Sequence, residues 1–89
     1  MTILATYDID GVGLDLYDDL AGQMGAGLRA SPGFVFHLAH ALENGWRVME
    51  VWDSRDQYDR WYNGTVKPGL PADLKLSIQV VEVHAVIQP

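Results

Sequence analysis

His37 is the side chain in this sequence best suited to moving protons near neutral pH. A neutral imidazole can take a proton from a phenol, or from a carbon beside a carbonyl. Glu50 could orient that ring or raise its basicity if both residues reach the same face of a sheet. Tyr7, Tyr17, Trp52, Trp61 and Tyr62 could line an apolar cavity beside them. Such a cavity suits a flat ligand, and each Tyr or Trp brings one polar group to fix its orientation. The same residues also make sense without chemistry, as a buried His held by Glu50 and as aromatics filling a core.

The remaining candidates are weaker. His40 lies three residues beyond His37 on a predicted strand, so the two rings point to opposite faces. His84 is a secondary candidate on the last strand. In the strand order 4-1-3-2 of a ferredoxin-like β-α-β-β-α-β chain, His37 and His84 occupy opposite edges, roughly 14 Å apart. Zinc and iron need donors about 2 Å from the ion, so no metal site is expected from His37, Glu50 and His84 within one chain. His84 is expected to cap an edge or touch a partner subunit. The glycines between Gly22 and Gly27 follow a helix instead of a strand, the wrong order for a dinucleotide fingerprint. Ser31, Ser54 and Ser77 lack a neighbouring His–acid pair.

These side chains must be positioned by a single small domain, residues 1–89. The chain has no cysteine, which excludes disulfides, thiolate metal sites and a cysteine nucleophile. That suits a reducing cytoplasm. No apolar run is long enough to read as a signal peptide or a membrane span. The formal net charge is −6, and the six basic residues are scattered. A nucleic-acid backbone or an anionic membrane surface requires clustered Lys and Arg, so neither is an expected partner.

Thr2 to Ile9 reads as a first strand. Leu16, Tyr17, Leu20, Met24 and Leu28 recur at helical spacing from Leu14 to about Ala30. Gly22, Gly25 and Gly27 each cost that helix about 1 kcal/mol relative to Ala, which predicts a loose or broken second half. Phe34 to Ala41 and Trp46 to Asp53 form a hairpin, with Asn44-Gly45 as the predicted turn. That turn pairs His37 with Trp52 and Ala39 with Glu50. It places Val35, His37, Ala39, Ala41, Trp46, Val48, Glu50 and Trp52 on one face, and Phe34, Phe36, Leu38, His40, Arg47, Met49, Val51 and Asp53 on the other. Both faces are substantially apolar, so both should be covered.

Ser54-Arg55-Asp56-Gln57 has the form of a capping box. Tyr58, Trp61, Tyr62 and Thr65 then make an aromatic inner stripe, closed by Pro68-Gly69-Leu70-Pro71. Leu74 to Ile87 reads as a long last strand. Its apolar phase switches near Val80-Val81, predicting a bulge or a change of packing partner. The order β-α-β-β-α-β is the ferredoxin-like α+β arrangement: a four-stranded antiparallel sheet with two helices on one face. The open apolar face is most simply covered by a second copy in a homodimer.

One stretch carries a family likeness. Gly45-Trp46-Arg47-Val48-Met49-Glu50-Val51-Trp52-Asp53-Ser54, with Phe36-His37 before it and Val83-His84 near the end, resembles the dimeric α+β barrel superfamily. Within it, the chain looks like the small proteins of the antibiotic-biosynthesis-monooxygenase type. The resemblance implies a pocket between the sheet and the helices of each subunit, lined by Trp52. It implies chemistries that include cofactor-free oxygenation of phenols, haem degradation, polyketide cyclisation and lactone isomerisation. The haem-degrading members carry an iron-ligating His in the segment after this Trp, and Ser54 to Leu70 contains none. Cyclases resembling the plant type place a His near the end of that helix, where this chain has Asn63, Val66 and Lys67. The expectation is therefore a cofactor-independent homodimer, monooxygenase- or cyclase-like, acting on an aromatic or polyketide-type molecule with His37 and Glu50 as catalytic residues. The alternatives are a non-catalytic ligand-binding or accessory dimer, and a structural dimer whose cavity is filled by Trp and Tyr.

Overall fold

Ile3, Ala5, Tyr7 and Ile9 are buried and the residues between them are not, the period-two pattern of a strand with one face on a core. The computed structural model describes residues 1–89 and places this strand, β1 (Ile3–Asp10), inside a four-stranded sheet. β3 (Gly45–Trp52) pairs on one side of it and β4 (Lys75–Glu82) on the other, while β2 (Phe34–Leu42) pairs with β3. The order is β2-β3-β1-β4 and every pairing is antiparallel. α1 (Leu14–Ala30) and α2 (Arg55–Trp61) pack on the face that carries Tyr7, Trp46 and Trp52. The chain is an α+β protein with the ferredoxin-like topology.

The hairpin turns one residue earlier than predicted. Leu42 lies opposite Gly45, so Glu43 and Asn44 form the turn. His37 now faces Glu50 and Ala39 faces Val48. The slide is two positions along the partner strand, which preserves which face each side chain occupies. Gly45 is extended into the strand at φ 156°, and a Cβ there would collide with the Ile9 carbonyl as β1 passes. Close backbone approach thus requires glycine at this position.

A bulge at the start of β2 makes a second correction. Phe34 lies opposite Trp52 and Phe36 opposite Val51, leaving Val35 as the extra residue. Phe34 therefore swings to the helix side, where its ring meets Trp52 edge-on at 5.5 Å. Strict alternation had put it on the opposite face; an inserted residue reverses the parity on one side of the bulge.

α1 is one unbroken helix of 17 residues despite its glycines. Leu28 is buried, and Leu20 and Met24 pack against the core. At Gly27 an added Cβ would meet the Trp61 ring at 3.6 Å, an ordinary packing distance. Tertiary packing of the apolar stripe outweighs the propensity cost.

Ser54 caps α2 as predicted, its Oγ accepting from Gln57 N–H at 3.2 Å. The Gln57 side chain does not reach the Ser54 backbone; its Oε1 accepts from the Ser54 hydroxyl at 3.0 Å. Beyond Trp61 the helix widens into a π-helical turn, Tyr62–Val66, followed by the short α3 (Lys67–Gly69). The wider turn puts Val66 in the core and leaves Thr65 exposed, correcting the predicted inner stripe.

β4 ends at Glu82, and its pairing with β1 runs without a break from Lys75 to that point. The expected bulge near Val80-Val81 is absent. Val83 N–H still donates to Thr2 O at 2.9 Å, and the chain then leaves the sheet.

Candidate functional site

Trp52 and Glu50 lie two apart on β3 and so share a face, and Glu50 is directly opposite His37 on β2. The indole N–H of Trp52, which can only donate, reaches Glu50 Oε1 at 3.1 Å. Glu50 Oε2 lies 2.7 Å from His37 Nδ1. His37 Nε2 lies 2.7 Å from the hydroxyl of Tyr17 on α1. With the carboxylate accepting at both oxygens, His37 Nδ1–H is the donor to Glu50. Nε2 is then the acceptor, and the Tyr17 O–H donates to it. The four side chains form one continuous chain, Trp52–Glu50–His37–Tyr17.

Glu50 is almost fully buried, at 3% exposure. A buried carboxylate is tolerated only when hydrogen-bonded, and Trp52 and His37 supply those bonds. Tyr17 is held from two sides. Its ring meets Trp46 edge-on at 5.3 Å and stacks on the His37 ring at 5.8 Å. Burial, with Asp18 and Glu50 nearby, pushes the Tyr17 phenol above its ordinary range, so it is protonated at neutral pH.

This chain borders a cavity of about 450 Å³ between α1, the π-helical turn and the sheet. Tyr7, Tyr17, His37, Trp46, Glu50 and Trp61 contribute to its wall, which is otherwise mainly aliphatic. Volumes of this order hold small organic ligands.

Tyr7, Tyr17, His37, Glu50 and Trp61 of the predicted set meet at this cavity. Trp52 does not line it: the side chain is fully enclosed and acts from behind, through Glu50. Tyr62 does not line it either. The π-helical turn carries that ring onto Tyr58, with centroids 6.1 Å apart. His84 is not on a strand; it follows the end of β4 and is exposed. No cluster of three or more His, Asp or Glu side chains is placed to hold a metal ion. His40 bonds only its neighbour's carbonyl, Ala41 O, at 3.0 Å.

Two features were not foreseen. Tyr17, on the cavity wall as expected, also hydrogen-bonds the histidine. Trp46, expected on the helix-side face, becomes a cavity wall and the support of Tyr17. The 3.6-residue period from Leu16 onward puts Tyr17 on the inner side of α1, but nothing in the sequence selects His37 as its partner.

A second aromatic group extends from the cavity wall at Tyr7. Tyr7 meets Tyr58 edge-on at 6.2 Å, and Tyr58 stacks on Tyr62. Burial drives the Tyr7 phenol far above its normal range, with Glu50 adding to the effect. Burial also pushes Tyr58 up to about 12. The hydroxyls of Tyr7 and Tyr58 and the indole N–H groups of Trp46 and Trp61 are buried without a hydrogen-bond partner.

No protein-family model matches the chain, and no curated protein matches it in sequence. Solved structures do match it over nearly their whole length. SnoaB, a cofactor-independent oxygenase from Streptomyces nogalater, is 17% identical with a TM-score of 0.69, covering 99% of this chain and 96% of its own. NE2512, a protein of unknown function from Nitrosomonas europaea, is 19% identical with a TM-score of 0.75, covering 100% and 96%. MhuD, a haem degrader from Mycobacterium tuberculosis with two haems in its active site, is 20% identical with a TM-score of 0.61, covering 97% and 99%. The chain therefore shares its fold with these proteins. That fold carries several chemistries, so the site must decide among them. For haem, the only histidine on the cavity wall is His37, and both its ring nitrogens are already hydrogen-bonded.

Proposed function

We propose that this protein is a cofactor-independent enzyme that removes a proton from an aromatic or polyketide-type small molecule bound between sheet and helices. One observation carries this reading: a His37–Glu50 pair, anchored by Trp52, borders an apolar cavity of ligand size. Glu50 fixes the ring orientation and stabilises the imidazolium that forms when His37 accepts a proton. Tyr7 and Trp61 offer flat walls for an aromatic body. Oxygenation and aldol cyclisation both begin with this proton abstraction. In oxygenation the carbanion gives its electron pair to dioxygen and a C–O bond forms. The peroxide anion takes the proton back from the His37 imidazolium, and the resulting hydroperoxide loses water to leave a carbonyl. A methylene carbon and one dioxygen thus become a carbonyl and one water. The oxygenase SnoaB on the same fold supports that branch.

Anthrone, a tricyclic carbon acid oxidised by oxygen to anthraquinone, is a suitable probe. The wild type should accelerate anthraquinone formation, and His37→Gln should slow it by about 10²–10⁴-fold, the usual share of a general base. An undiminished rate in that variant would remove His37 from the mechanism.

A second reading is a non-catalytic ligand-binding or accessory protein. It is favoured by the bonding of both His37 nitrogens, which leaves neither open to a ligand. Quenching of tryptophan fluorescence by anthrone with no turnover would support it. In either case the open face of the sheet is proposed to seat a second copy of this chain. The absence of cysteine, together with the lack of any helix long and apolar enough to cross a membrane, supports a cytoplasmic location.

A further inference from the structure

We infer that Tyr17 is the residue that meets the substrate, carrying its proton to a His37 that the ligand itself does not touch. This rests on the acid–base function proposed above and assigns its contact atom. His37 Nδ1 is engaged by Glu50 and Nε2 by the Tyr17 hydroxyl, each at 2.7 Å. No imidazole lone pair is left for a ligand. The Tyr17 oxygen donates its one proton to Nε2 and keeps lone pairs of its own, and Tyr17 stands on the cavity wall.

The step balances without a phenolate waiting in the site. As the C–H bond of the substrate breaks, its proton joins Tyr17 Oη. The original Tyr17 proton moves to His37 Nε2 in the same event. Tyr17 ends as a neutral phenol, His37 as an imidazolium and the substrate as a carbanion. The new cation lies against Glu50, whose second oxygen is held by the Trp52 N–H. A phenol shifted upward by burial stays protonated at neutral pH and suits a relay of this kind. Edge-on packing against Trp46 and stacking on His37 hold the hydroxyl in line.

The opposing possibility is that Tyr17 merely plugs Nε2 and must swing away before a ligand can bind. Deprotonation of anthrone without oxygen separates the two. In deuterated water, the exchange of its methylene protons is followed by NMR for the wild type, His37→Gln and Tyr17→Phe. Tyr17→Phe keeps the ring and loses only the hydroxyl. A relay predicts at least a hundredfold loss of catalysed exchange in both variants, with anthrone affinity, read by tryptophan fluorescence, unchanged in Tyr17→Phe. Equal or faster exchange in Tyr17→Phe, alongside an inactive His37→Gln, overturns the Tyr17 assignment and leaves the proposed function standing. Full exchange in His37→Gln, or none in the wild type, overturns both. Loss of anthrone affinity in Tyr17→Phe also overturns the assignment, since the hydroxyl would then serve binding. If Tyr17→Phe is misfolded, a site-specific fluorotyrosine at position 17 keeps the shape and makes the phenol more acidic. The relay predicts a several-fold change in exchange rate with that residue, and an unchanged rate overturns it.

Discussion

Glu50 and the tyrosines behind it set the electrostatics of this interior. The carboxylate is buried, and its two hydrogen bonds run to His37 and Trp52. Around it, Tyr7 and Tyr58 are packed so tightly that ionising either would place a second negative charge near Glu50. Both phenols titrate higher in the folded protein than their ordinary value of 10.0. An upward shift of an acid gives stability that is complete below the unfolded value and is lost as pH rises toward the folded value. Stability to urea should therefore be level up to about pH 10 and fall between there and about 12. Tyr58→Phe should make that fall shallower. A wild-type profile that stays level across this interval would contradict the burial assigned to these rings.

Secondary-structure elements show where local preference gave way to packing. α1 keeps helical geometry through Gly22, Gly25 and Gly27. Of these three, only at Gly27 would an added Cβ meet a neighbouring side chain, the Trp61 ring at 3.6 Å. At Gly22 and Gly25 an added Cβ would meet nothing within 4 Å. Replacing Gly22 by Ala should stabilise the protein by about 1 kcal/mol, the difference in helix propensity. Chemical denaturation would read this directly, and a loss of stability would show that α1 is bent or strained at that point. The strands were legible from their alternation, and the start of α2 from Ser54 and Gln57. The bulge at Val35 and the π-helical turn at Tyr62–Val66 were not. Each inserts a residue into a regular repeat and so turns a side chain toward the core: Phe34 against Trp52, and Val66 among the buried residues.

At the scale of the whole molecule, the outer sheet face is the unresolved surface energy of the fold. Phe36, Leu38 and Val81 are each 42% exposed there. Asp8 and Arg47 form a cross-strand pair on the same face, with bonds of 2.6 and 2.9 Å. That guanidinium holds the Asp8 carboxyl below its usual range. An apolar sheet face around one satisfied ion pair suits a self-complementary contact between two copies. Leu38→Glu should convert a sedimenting dimer to a monomer while leaving the fold intact by circular dichroism, because it buries an unpaired charge at the contact. Wild-type protein that sediments as a monomer at micromolar concentration would remove the dimer from the account.

The sequence by itself determined the order of elements, the face on which His37 and Glu50 stand, and the cap at Ser54. Those features follow from repeats of two and of 3.6 residues and from short-range hydrogen bonds, which a linear pattern encodes. Only the tertiary structure decided that Tyr17 reaches His37 across 20 positions. It alone put Trp52 behind Glu50 and away from the cavity, and left His84 beyond the sheet. Such pairings depend on hairpin register, a bulge and the seating of α1 over β2 and β3. A one- or two-residue adjustment in any of these changes which side chains meet, while the periodic pattern stays the same.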